Sequence, residues 1–444
     1  MHALARLRNV VEAFSSERDL TRVLGVVTEI LPSHYLVDGL SGDLKIGDCV
    51  KIYIDGKAIF GQVVSVGRDG ASIKSFENNN GVGIGARVER VGPIEVAPHD
   101  SWIGRVLNAL GEPVDDKGPV QKGAKSRQVD GPPPQAMQRA RVSDPIRTGV
   151  RVIDCFTPLC KGQRIGIFAG SGVGKSTLLS MMTRSEGFDA AVVCLVGERG
   201  REVRDFLEHM QETTSASIVT IVATGDESPM MRRLAPLTAM TVAETLRDQG
   251  ASVLLIVDSV TRYAHASREV ALAAGEPPVA HGFTPSVFAD LPRLLERAGP
   301  GEADGGAITG VFSVLVDGDN HNDPIADCIR GTLDGHIVLE RDIAEQGRYP
   351  AINVLKSISR LADRVWSQGE REFVAKIKTI LAKFEDTKDL RMLGGYQAGS
   401  DRDLDQAIMV APLVYAALVQ TPQSERSENA IHEIAEQLRE HDIS

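Results

Sequence analysis

The sequence predicts an α/β protein whose parallel-sheet core carries a small β-barrel on its N-terminal side and a helical bundle on its C-terminal side. Three observations carry that prediction. Between about Arg164 and Leu339 the apolar runs RIGIFAG, AAVVCLVGE, SIVTIVA, SVLLIVDS and AITGVFSVLV alternate with helical patterns, as strands buried on both faces of a parallel sheet require. From about Arg22 to Val91 the chain turns to short β-branched runs such as RVLGVVTEI, CVKIYI and AIFGQVVSV, the signature of a small closed barrel. Past residue 365, Phe373, Ile377, Ile380, Leu381 and Phe384 form one helical stripe, and Ile431, Ile434 and Leu438 another.

The elements follow in order. Leu4, Leu7, Val11 and Phe14 share one face of a short amphipathic helix over residues 1–20, too short to be stable alone and suited to docking on its own body or on a partner. Residues 21–92 form the barrel, with hairpin turns at Asp55-Gly56 and Asp69-Gly70 and a further turn at Asn80-Gly81. Residues 93–364 hold the parallel sheet. They begin with a loop-like crossing, Pro119 to Met137, whose three consecutive prolines at 132–134 suit no core element. Helices are expected from Lys175, over 201–212 and over 230–248. Residues 365–444 are the helical domain.

Composition narrows the function. The chain has 444 residues, 42% hydrophobic and 25% charged, with 49 Lys and Arg against 60 Asp and Glu. A formal charge of −11 argues against a life on nucleic-acid phosphates. The longest apolar stretch, Ile408 to Val419, contains Pro412 and falls well short of the ~20 residues that span a bilayer. Arg6, Arg8, Asn9 and Glu12 interrupt the N-terminal segment, which therefore lacks the apolar centre of a secretory signal. A cytoplasmic protein is expected. Five cysteines, an odd number with no C-x-x-C pair, read as reduced, mostly buried thiols.

The chemistry concentrates in AGSGVGKST at 169–177, between an apolar strand and a helical run. Gly170, Ser171, Gly172, Val173, Gly174, Lys175, Ser176 and Thr177 make a phosphate-binding loop. Backbone N–H groups face phosphate oxygens, Lys175 reaches the β and γ phosphates, and the Ser176 hydroxyl coordinates magnesium. Ala169 stands at the first glycine of the strict pattern, the most replaceable one. In SVLLIVDS at 252–259 the apolar strand ends in Asp258, at the carboxyl end where α/β folds bind ligands, so Asp258 is a second magnesium residue. Ser259 follows it, and the acid that orients the attacking water is instead Glu198, at the end of AAVVCLVGE. The acids of VDGDNHND at 316–323 do not make a calcium loop, because Asn322 and Cys328 stand where glycine and glutamate are needed.

Together AGSGVGKST, VGERGREV, GDESPMMRRLAPLTAMTVAE, LLIVDSVTRYA, GEPPVAHGFTPSVFADLPRLLERAG, DPIADCIRGTLDGHIVL and GRYPAINVLKSISR resemble the flagellar export and type III secretion ATPases, relatives of the rotary ATP synthase α and β subunits. The resemblance runs through nearly the whole chain and implies a RecA-like P-loop core. It implies catalytic roles for Lys175, Glu198, Arg199 near the γ phosphate, and Arg360, which reaches into a neighbouring subunit's nucleotide. Glu202 belongs to the outer magnesium shell and Tyr349 stacks on adenine. QAGSD at 397–401 lacks the aromatic that ATP synthase β places beside adenine, leaving the second adenine wall open. ATP and Mg2+, a homohexamer, a regulatory or stator-like subunit at the N-terminal helix, and a central stalk in the pore near Gly275 to Pro285 are implied. So are an export gate, chaperones and unfolded cargo, with no nucleic acid, at the cytoplasmic side of the inner-membrane export apparatus.

A flagellar system is favoured over a virulence injectisome. Two further alternatives are an RNA-translocating hexameric helicase and a non-catalytic ring subunit. The helicase would need an aromatic and basic platform, for which the barrel region offers Tyr35, Tyr53, Phe60 and Phe76. The non-catalytic subunit would be expected to lack Glu198.

Overall fold

The structure, a computed structural model, describes residues 24–440 except 41, 69, 79–80, 143, 214–216, 303–304 and 317–322. The expected N-terminal helix and most of the acidic loop at 316–323 lie outside the described residues. The chain divides into two compact units, one containing residues up to Ile94 with Ser228–Met230 and Glu269–Glu276, the other holding the remainder.

In the first unit six antiparallel strands, Leu24–Ile30, Tyr35–Asp38, Asp48–Ile54, Lys57–Gly67, Gly70–Ser75 and Arg87–Pro93, close into a barrel. Its interior is Val27, Val37, Val50, Ile52, Val63, Ile73 and Val88, all at most 1% exposed. The alternation of a pleated strand supplies this set, because every second residue faces inward. The Asp55-Gly56 hairpin joins Ile54 to its partner Lys57, with φ of 44° and 82° at the two turn residues, the positive values a two-residue hairpin loop demands. Gly70 pairs with Gly67 at a second tight turn. Tyr35, Tyr53 and Phe60 are half-buried and Phe76 is buried, so these four rings make no exposed stacking platform.

In the second unit the strands order, from one edge to the other, as Ile358–Ser359, Gly335–Leu339, Arg164–Ala169, Ala307–Leu315, Ser252–Asp258, Ala190–Val196, Ser217–Ala223 and Val106–Leu107. From Gly335–Leu339 onward every neighbouring pair is parallel. The edge strand Ile358–Ser359 runs antiparallel, pairing Ser359 with Gly335. Ala190–Val196 is buried at every position, which explains why it reads as an uninterrupted apolar run. The expected helices are Lys175–Met182, Gly200–Thr213 and Pro229–Asp248.

The C-terminal helices Gln368–Asp386, Arg402–Leu418 and Ala430–Glu440 join the same compact unit. Val374, Ile377, Leu381, Val410, Val414, Ile434 and Leu438 belong to one hydrophobic cluster with Ile165, Ile167 and Val193 of the sheet. Phe373, Ile380 and Phe384 of the expected stripe are only partly buried against it. Ser367 starts the first of these helices with a capping box to Glu370. Pro412 sits inside Arg402–Leu418, and no helix among the described residues is long and apolar enough to cross a membrane.

Candidate active site

The strand Arg164–Ala169 runs straight into the glycine-rich loop, and Gly174 in the left-handed region (φ 90°) starts the helix Lys175–Met182. Gly172 is also left-handed (φ 78°), with no atom within 4 Å of where a Cβ would stand, so the loop stays open to a ligand. Val173 alone among the loop residues turns its side chain into the hydrophobic core; what it offers a phosphate is its backbone N–H. Gly170, Ser171, Gly172, Gly174, Lys175, Ser176 and Thr177 line a cavity of about 470 Å³, within the range of small-molecule sites.

Lys175 sits among the acids predicted from the strand ends. Its Nζ is 2.5 Å from Asp258 Oδ1 and 3.5 Å from Glu198 Oε1. Asp258 is nearly buried and also accepts a hydrogen bond from Ser313 Oγ at 2.8 Å. Burial pushes the Glu198 carboxyl above its ordinary value; nearby Lys175 opposes this, while Asp258 and a hydrogen bond with Glu202 reinforce it. A carboxyl held up in this way is disposed to take a proton from water. Ser176 and Glu202 line this cavity and Asp258 adjoins it through Lys175; their oxygens are hard donors that fit magnesium, which needs only one or two carboxylates beside the phosphates and its waters.

Glu202 and Arg199 line the cavity mouth and pair at 3.4 Å, with Arg199 almost fully exposed. Tyr349 lies against the loop: a Cβ added to Gly174 would stand 3.4 Å from two carbons of its ring. The segment meeting Tyr349 on its other side in the chain is Gln420, whose backbone N–H donates to the Tyr349 carbonyl at 2.8 Å.

Arg360 is elsewhere. It follows the edge strand Ile358–Ser359, and its backbone N–H donates to the Asp334 carbonyl, level with Arg164 at the amino end of the sheet. From there to Ala169, five residues along the strand, is ~16 Å. The Arg360 side chain is exposed and forms no ion pair with a described residue. Its own chain's cavity is beyond its reach.

Sequence reasoning about single motifs missed three contributors. Arg262, on the first turn after Asp258, lines the cavity and adds positive charge near Glu198. Gly197 (φ 69°) gives it room, since a Cβ there would stand 3.1 Å from the Arg262 stem. Ser313 lies on the neighbouring strand and holds Asp258. Arg262 was findable as the cation four residues past the strand-terminal acid; Ser313 had no local signal. Between the two helices bounding it, the stretch Gly275 to Pro285 makes a tight turn at Val279–Phe283, with Val279 61% exposed.

Comparison with known proteins adds the family context. The ATP synthase alpha/beta family nucleotide-binding domain matches residues 149–359, and the T3SS EscN ATPase C-terminal domain matches residues 366–440. A flagellum-specific ATP synthase of Agrobacterium fabrum is 52% identical over 94% of this chain and 88% of its own length. That of Rhizobium meliloti is 51% identical over 98% and 94%. Among solved structures, the assembled ATPase EscN from the enteropathogenic E. coli type III secretion system superposes with a TM-score of 0.87 at 37% identity, covering 93% of this chain and all of that one. EscN in complex with its central stalk EscO gives 0.84 at 36%, with the same coverage.

Proposed function

The chain belongs to the ATP synthase alpha/beta family and, within it, to the flagellum-specific ATP synthases; from that premise we propose that it hydrolyses ATP to energise or gate flagellar protein export, as a ring of six. Identity of 52% to a flagellum-specific relative, against 37% to the injectisome ATPase EscN, supports the flagellar branch.

The single observation that carries the mechanism is the matched charge around Lys175. Held at 2.5 Å by Asp258, Lys175 exchanges a carboxylate for the β and γ phosphate oxygens when ATP enters, while backbone N–H groups from Gly170 to Thr177 take the remaining phosphate charge. Ser176 and Asp258, with Glu202 outside them, would hold magnesium, whose charge when bound offsets that of the phosphates. Glu198 orients the attacking water and accepts its proton, Arg199 flanks the γ phosphate, and Tyr349 stacks on adenine. The transition-state cation is Arg360 of the next copy, because within one chain it stands a strand length away. Such head-to-tail use of two different faces closes into a ring.

We assign residues 21–92 to the barrel domain, 93–364 to the ATPase domain and 365–444 to the helical domain. Residues 1–20 dock a regulatory partner, and Gly275 to Pro285 meets a central stalk; the similar ATPase EscN forms a complex with a central stalk, EscO. Chaperones, unfolded cargo and an export gate complete the assembly, placed at the cytoplasmic face of the inner membrane. Hydrolysis per chain by the purified protein should rise with protein concentration as copies associate; a rate per chain independent of concentration would contradict the ring reading. Lys175→Ala in the host should stop filament growth, and normal filaments would contradict the export role.

A further inference from the structure

Beside Arg360 opens a cleft of about 610 Å³ lined by Arg139, Arg141, Arg164 and Arg364, with Asp334 as the acid among its lining residues. Two of these arginines are matched inside the chain. Arg164 grips Asp334 through Nε and Nη2, both at 3.1 Å, and reaches Glu296 at 2.5 Å; Arg139 reaches the other Glu296 oxygen at 3.4 Å. The other two are not. Arg364 gives an N–H to the Val142 carbonyl, and Arg141 is exposed; neither forms an ion pair with a described residue. The cleft therefore presents two uncompensated positive charges, held together through Val142, one turn past the exposed Arg360.

We propose that this cleft receives the acidic face of the helix Gly200–Thr213 from the next copy of the chain, so that Arg141 and Arg364 hold two copies together at the contact across which Arg360 reaches the neighbouring nucleotide. The inference rests on the trans role of Arg360. Glu202, in the first turn of that helix, lines the mouth of the nucleotide cavity. Asp205 and Glu208 follow at three-residue steps on the same helix, with side chains 61% and 64% exposed, paired only with exposed Arg201 at 3.8 Å and Arg204 at 3.4 Å. Exposed i,i+4 pairs of this kind are weak and readily exchanged for a better partner. A copy whose Arg360 reaches the cavity necessarily carries Arg364 and Arg141 to its rim, where these acids are. Charge complementarity at such a contact sets register more than it sets the chemistry.

The test is sedimentation velocity of the full chain with magnesium and a non-hydrolysable ATP analogue, reading the concentration at half-assembly. Arg141→Glu breaks no ion pair among the described residues, so it perturbs the contact and not the fold; Arg364→Glu is the second probe. Each should raise the half-assembly concentration at least ~10-fold, with kcat at saturating protein changed less than ~3-fold, and Asp205→Arg combined with Arg141→Glu should bring it back to within ~3-fold of wild type. Half-assembly at the wild-type concentration in both single variants, or no recovery in the combination, would overturn the proposal. Should Arg360→Ala keep its turnover, the trans reading itself fails; should Arg360→Ala be inactive while both reversals assemble normally, the cleft alone is refuted.

Discussion

The two ends of the central sheet are built on opposite principles. At the carboxyl end the central cation has its counterparts within the chain: Lys175 lies between Asp258 and Glu198, and Asp258 is further fixed by Ser313. At the amino end, along the edge that carries Ile358–Ser359, Arg360, Arg141 and Arg364 form no ion pair with a described residue. The first end binds a ligand by exchanging partners, and it can do so alone. The second is an unfinished half of a site, and a cation left unpaired at a sheet edge is useful where another molecule supplies the anion.

Four substitutions sharpen this contrast, in falling order of effect. Arg360→Ala should lower turnover by ~10³ to 10⁵ while leaving nucleotide affinity nearly unchanged, because the arginine acts on transition-state charge; equilibrium binding of a fluorescent nucleotide beside steady-state hydrolysis separates the two. Glu198→Gln should keep binding and lose ~10² to 10⁴ in turnover, the usual worth of a positioned proton acceptor. Lys175→Ala should weaken nucleotide binding by ~10² or more, since it removes charge-assisted hydrogen bonds to two phosphates. Ser313→Ala, one step removed from the ligand, should cost about tenfold in kcat/KM by freeing Asp258 from one of its two fixings.

The raised Glu198 carboxyl gives a prediction in pH. Its reference value is 4.5, and between that and its higher value in the folded protein the native state holds a proton that the unfolded chain has released. Stability contributed by this group is therefore present below 4.5 and lost as pH rises through the folded value. Activity runs the other way, because the ionised form takes the proton from water. The acid limb of the kcat/KM profile should shift above the ordinary glutamate range in wild type and vanish in Glu198→Gln, while denaturant titrations of the two should differ most on the alkaline side of that limb.

What was legible in the sequence follows from how local each feature is. The phosphate loop, Asp258 and Glu198 were readable because a strand end, a glycine turn and a helix start are encoded in consecutive residues, and the parallel sheet then gathers those ends at one edge. The Asp55-Gly56 hairpin was readable for the same reason. Tyr349 and Arg360 carry no such local mark; only the family resemblance singled them out, and it is folding that brings Tyr349 against Gly174 and sends Arg360 to the far end. Ser313 and the segment at Gln420 escaped notice because their partners lie 55 and 71 residues away in the chain, beyond any periodicity. The arginine cleft is a product of five separate segments and has no sequence signature.

The direct test of a site shared between copies is to mix two dead chains. Lys175→Ala retains a working Arg360, and Arg360→Ala retains a working phosphate loop, so a mixed ring contains intact sites at about a quarter of its interfaces after random one-to-one assembly. The account predicts that the mixture hydrolyses ATP well above the sum of the two separate preparations. A mixture no more active than that sum, with both variants shown to assemble together, would contradict it.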